Sequence, residues 1–107
     1  MEKLTTSSAL QALSCVDEPY KELFKHGSLS VEVYKPEKVD PQEPHDQDEV
    51  YVVISGSGIF VNGESRKPFE MGEVLFVPTG AVHRFEEFTD DFATWVIFYG
   101  PVGGEIA

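Results

Sequence analysis

From Val31 onward the chain breaks into short apolar and β-branched runs separated by Gly, Pro and Asn at close intervals. None of the connections is long enough to hold a crossover helix, so the runs must pair antiparallel. The expected strands are Tyr20 to Lys25, Leu29 to Tyr34, Val50 to Ile54, Ile59 to Val61, a return strand from Glu64, Val74 to Val77, Val82 to Phe88, and Phe92 to Tyr99. His26-Gly27 and Ser55-Gly56-Ser57-Gly58 both read as hairpin turns. Asn62-Gly63 is the strongest turn signal, because a type I′ turn needs positive φ at both central residues and this pair adopts it cheaply. About eight such strands close on themselves as a small antiparallel β-barrel or sandwich, an all-β fold in one domain spanning residues 1–107. A chain of this length buries roughly 60 to 70% of its unfolded surface around one core. Ahead of the strands, Leu4, Leu10 and Leu13 fit either a short helix or an added edge strand, and residues 103–107 read as a mobile tail.

Charge narrows the partners. Eight Lys plus Arg stand against nineteen Asp plus Glu, a net charge of -11. Such a surface repels phosphate backbones and anionic membranes, so neither nucleic acid nor a membrane is an expected partner. The longest uncharged apolar run, Val50 to Ser57, is too short to cross a bilayer. The N-terminal stretch lacks the apolar segment of a secretory signal, and the protein is expected in the cytoplasm. Cys15 is the one cysteine, which excludes an internal disulfide or a thiolate cluster; any metal must be held by N and O donors.

Of three histidines, His26 stands alone in a turn, whereas His45 and His83 lie among other donors. Side chains alternate faces along an extended strand, so Glu43, His45, Gln47 and Glu49 are expected on one wall, with His83 and Phe85 facing them from another. Two imidazoles with one or two carboxylates bind first-row divalent metals and leave positions open for water, substrate or oxygen. No serine sits in a nucleophile elbow, and Gly56-x-Gly58 is no nucleotide fingerprint, since it lies between two strands and opens no helix. Tyr34, Tyr51, Phe60, Phe76, Phe85, Phe92, Trp95 and Phe98 all fall in expected strands and supply a core and the lining of any cavity.

Between Glu43 and Glu87 the chain resembles a small single-domain cupin of the conserved-barrel type. The first motif of that family ends in His-x-His, three or four residues, Glu, six residues, Gly; His45, Glu49 and Gly56 match it, with Glu43 at the first His and Glu37 at the leading Gly. The second motif, Gly, five residues, Pro-x-Gly, two residues, His, is met by Gly72, Pro78, Gly80 and His83, with Glu87 replacing the closing Asn. The resemblance implies a jelly-roll-like double-stranded β-helix with a divalent transition metal (Mn, Fe, Co, Ni or Zn) inside. It implies His45, Glu49 and His83 as ligands, with Glu43 either coordinating through oxygen or swinging out to leave a three-donor site. Gln47, Tyr51, Phe60, Phe76, Phe85 and Trp95 are the expected substrate pocket, and Glu43 or Glu87 the expected proton shuttle.

Cupins host several chemistries, so two readings follow. One is a metal-dependent enzyme, dioxygenase-like or isomerase- or lyase-like, acting on a small organic acid or phenolic compound. The other is a non-catalytic metal-containing module that binds or senses a small molecule. An apolar hairpin from Tyr20 to Tyr34 offers an edge for sheet extension, and a homodimer is expected.

Overall fold

The computed structural model describes residues 3–41 and 43–106. One helix, α1 (Thr6–Ser14), precedes eight strands: β1 (Tyr20–His26), β2 (Leu29–Tyr34), β3 (Asp48–Ser55), β4 (Ser57–Asn62), β5 (Ser65–Glu70), β6 (Val74–Val77), β7 (His83–Glu86) and β8 (Ala93–Tyr99). They form two antiparallel sheets, ordered β1-β2-β8-β3-β6 and β5-β4-β7. The expected all-β architecture is thus observed, and the N-terminal segment left open by the sequence is a helix.

The core follows from strand alternation. Tyr34, Tyr51, Val53, Val77 and Val96 from the larger sheet meet Phe60, Phe69 and Phe85 from the smaller, together with Phe92. Phe85 sits at the centre of this group, its ring centroid 4.6 Å from that of Phe92, 4.9 Å from Tyr51 and 5.0 Å from Phe60. Alternation also sends the intervening residues outward. Trp95 and Val33 lie on the back of the larger sheet, where Ala9 and Leu13 of α1 cover them. Phe76 is half exposed, on the side of β6 away from the core. Of the expected pocket aromatics, Tyr51, Phe60 and Phe85 therefore face inward, while Phe76 and Trp95 take the opposite face of their strands. The helix has a capping box: Thr5 Oγ1 accepts from the Ser8 amide at 3.0 Å, and Ser8 Oγ from the Thr5 amide at 3.1 Å.

Two turns differ from the expectation. Residues 55–58 do not form a hairpin, because β3 and β4 belong to different sheets. Gly56, at φ +83°, is instead the corner where the chain changes sheet, and a Cβ there would lie 2.6 Å from Phe92 Cα. Both the left-handed backbone and the close approach of another strand demand glycine. The Asn62-Gly63 turn is displaced by one residue: Asn62 pairs with Ser65, so Gly63 and Glu64 are the central pair. Positive φ is found at Gly63 and not at Glu64, as in a type II′ rather than a type I′ turn. The C-terminal segment is tied down as far as Glu105, since Gly103 N donates to Asp46 O and Glu105 N to Asp48 Oδ2, each at 2.8 Å. Ala107 lies outside the described residues.

Candidate metal centre

The two sheets bring together three donors from distant stretches of the sequence. Glu49 is the second residue of β3 and His83 the first of β7, one in each sheet, and His45 lies in the segment leading into β3. One donor atom from each of His45, Glu49 and His83 lies within 4.8 Å of the other two. Metal–N and metal–O distances are about 2.0–2.2 Å, which spaces donors around one ion by roughly 3–4.3 Å. The group is thus within a small contraction of holding a cation.

His45 is positioned through its backbone. Its carbonyl accepts from Gly80 N at 2.9 Å and from Thr79 Oγ1 at 3.1 Å. Thr79 N in turn donates to Asp48 Oδ1 at 2.9 Å. The Pro78-Thr79-Gly80 turn therefore acts as a clasp that locks the His45 segment against the strand carrying Glu49.

The His83 ring is oriented by the chain next to it. Nδ1 donates to Ala81 O at 3.0 Å, leaving Nε2 as the donor atom that faces the centre. Nε2 lies 3.1 Å from the Tyr51 hydroxyl and 3.2 Å from Glu49 Oε1. The Glu49 side chain is fully buried, yet neither of its oxygens has a hydrogen-bond partner. The 3.2 Å approach is thus an ion-pair distance without a directed hydrogen bond. A neutral imidazole nitrogen and a carboxylate oxygen at that separation repel unless a proton or a cation lies between them. Burial pulls the His83 pKa down, but Glu49 and the Ala81 carbonyl outweigh it and hold it above the ordinary imidazole value. The demand for positive charge at this point is built into the fold, and the donor set fits a divalent ion.

Glu43 is exposed and outside this group. The strand alternation that placed it beside His45 does not operate there, because β3 begins only at Asp48. Gln47 turns away from the centre, its amide donating to Gly100 O at 2.9 Å and Ser28 O at 3.1 Å, where it ties two loops together. Glu87 lies one residue past β7 with φ at +50°, its carboxylate at the surface and paired with Arg66. Its expected parity with His83 and Phe85 ends where the strand ends.

Two residues of this region, Asp40 and Glu32, were not singled out by sequence reasoning. Asp40 is buried; it accepts from the Tyr34 hydroxyl through Oδ1 and from Phe85 N through Oδ2 at 2.8 Å. It fastens the segment between β2 and β3 to both sheets. Burial, then the bond to Asp40, pushes the Tyr34 hydroxyl pKa well above the ordinary tyrosine value. Glu32 and Phe98 join Pro19, Tyr20, Tyr34, Pro41, His45 and Val96 around an open cleft of about 380 Å³. His45 forms part of its wall and connects the cleft to the three-donor group. The period-2 pattern of β2, with Glu32 and Tyr34 on the same face, was the available signal for Glu32.

Residues 30–99 match the sequence profile of the cupin domain. The chain belongs to the cupin family. An uncharacterized protein of Streptomyces coelicolor is 33% identical to this cupin over 87 residues, spanning 79% of this chain and 83% of the relative. Among solved structures, a Cupin 2 conserved barrel domain protein from Salinispora arenicola superposes with a TM-score of 0.64 at 19% identity, covering 76% of this cupin and 74% of that chain. A chain from the crystal structures of the DMSP lyases RdDddP and RnDddQII gives a TM-score of 0.67 at 26% identity, covering 78% of this cupin and 47% of its own length. Among the described residues no helix is long and apolar enough to cross a membrane.

Proposed function

We propose that this cupin holds a divalent transition metal through His45, Glu49 and His83 and uses it as a metal-dependent enzyme on a small organic molecule entering by the cleft at His45. The observation that carries the reading is the Glu49 carboxylate, fully buried, without a hydrogen bond to either oxygen and with an imidazole nitrogen 3.2 Å from Oε1. Leaving buried acceptors unpaired costs free energy that proteins seldom tolerate without a ligand or a catalytic purpose. Two imidazoles and one carboxylate suit manganese, iron, cobalt, nickel or zinc, and three protein donors leave positions for exchangeable ligands. When bound, such an ion supplies Lewis acidity to a substrate oxygen.

The protein's own groups do the rest. Tyr51, Phe60 and Phe85 wall the buried side of the centre and exclude water. The Ala81 carbonyl fixes the His83 tautomer. The Tyr51 hydroxyl, 3.1 Å from Nε2, is the nearest group able to hold a proton beside the donors. The likeness to a chain from DMSP lyase crystal structures supports a lyase-like reaction class.

Elemental analysis of protein purified without chelator tests the reading directly. About one equivalent of a transition metal in the wild type, and none after His83→Ala or Glu49→Gln, is expected. Protein that stays metal-free when incubated with each of the five ions overturns the proposal. If metal is bound but no turnover accompanies ligand-induced stabilisation, the assignment becomes a binding module.

A further inference from the structure

The cleft beside His45 carries a charge pattern that selects its occupant. Its lining is largely apolar and aromatic, with the rings of Tyr20, Tyr34 and Phe98; its one carboxylate is Glu32, and it contains neither Lys nor Arg. Directly opposite Glu32 on β1 stands Glu22, in register across the antiparallel pair. Like charges facing each other across strands are destabilising, and among the described residues the Glu32 carboxylate has no ion-pair partner. Burial raises the Glu32 pKa, and the carboxylates of Glu22 and Glu49 raise it further, the part that reflects negative charge at the cleft. An anionic ligand entering here finds no counter-charge on the protein, whereas a cationic one finds a carboxylate and three aromatic rings.

We infer that Glu32 is a specificity-determining residue and that the cleft takes a small molecule carrying a protonated amine or similar organic cation, placed at Glu32 while its oxygen end reaches toward His45. This rests on the three-donor reading above and narrows the ligand from small organic molecules in general to cationic ones. The organic acids considered from sequence are thereby disfavoured.

The test uses the full chain loaded with cobalt(II), whose visible absorption reports entry of a ligand oxygen. Three catechols of matched shape are titrated: dopamine (cationic), 4-propylcatechol (neutral) and 3,4-dihydroxyphenylacetate (anionic). Dopamine is expected to bind about tenfold more tightly than the neutral probe, and the anion more weakly than either. Glu32→Gln should bring dopamine and 4-propylcatechol to within about twofold while leaving the cobalt content and the neutral probe's affinity unchanged. The dopamine advantage should also shrink as salt is raised, which reads charge rather than shape. Equal affinities for all three probes in the wild type, a preference for the anion, or a dopamine advantage that survives in Glu32→Gln overturns the inference while the metal reading stands. Absence of bound cobalt defeats the metal reading itself, and with it this one.

Discussion

Replacing Glu49 by Gln separates a metal-ligating carboxylate from a structural one. The two oxygens of Glu49 are buried without hydrogen-bond partners. Oε1 faces the His83 ring, so the unpartnered Oε2 alone costs the fold about 1–3 kcal/mol, the range for one unsatisfied buried acceptor. An ion that engages the carboxylate returns this energy, so saturating metal should raise the wild-type melting temperature by about 4 °C or more, at roughly 4–8 °C per kcal/mol for a domain of this size. Gln keeps the shape and loses the charge. Without metal, the variant should melt at or slightly above the wild-type temperature, because an amide is cheaper to bury than a carboxylate. With metal its gain should fall below about 2 °C, since a neutral amide is a poor ligand for a divalent ion. Differential scanning calorimetry of both proteins after chelation and again with each candidate ion provides the four temperatures. A metal-induced rise as large in Glu49→Gln as in the wild type would show that the carboxylate is not a ligand. A metal-free variant melting more than about 5 °C below the wild type would show that Glu49 supports the fold through His83 rather than waiting for an ion.

Further predictions concern the elements around the centre. Gly56→Ala should cost about 2 kcal/mol or more in urea unfolding, because it adds a left-handed strain and a Cβ 2.6 Å from Phe92 Cα; a loss under about 0.5 kcal/mol contradicts the corner geometry. Tyr34 titrates higher folded than unfolded, so the folded state keeps its proton where the unfolded state sheds it. The resulting stability is complete below pH 10 and is lost as pH rises further. Between pH 9 and pH 11 the wild type should therefore lose about 1.4 kcal/mol relative to Tyr34→Phe, and parallel pH curves for the two proteins would refute the assignment. At the edge of the larger sheet, β1 presents an unpaired side and a half-exposed Tyr20. Light scattering is expected to give a homodimer of twice 11.9 kDa, and a monomer at micromolar concentration would disprove it.

The strands were legible because their signals are local. Short β-branched runs between Gly, Pro and Asn place every stated end of the eight expected strands within two residues of those observed, Val82 to Phe88 losing one residue at its start and two at its end. Motif spacing likewise pointed to His45, Glu49 and His83, since a fixed number of residues in extended chain between fixed turns repeats the same geometry wherever it occurs. Glu43 and Gln47 were placed beside them by an alternation that needs a strand, and hydrogen bonding does not begin the strand until Asp48. Glu87 was carried along in the same way past the end of β7.

The sequence by itself determined that this chain is an antiparallel β protein with two histidines and a glutamate at cupin spacing, because turn chemistry and side-chain period act over a few residues. Which sheet each strand joins, where Gly56 turns a presumed hairpin into a corner, and how Asp40 and Glu32 come to flank the centre were decided only in the tertiary structure. Gly56 meets Phe92 and Asp40 meets Phe85 across tens of residues, and even the nearer pairs, Tyr34 with Asp40 and Glu22 with Glu32, are set by register and burial that residue type and spacing do not state.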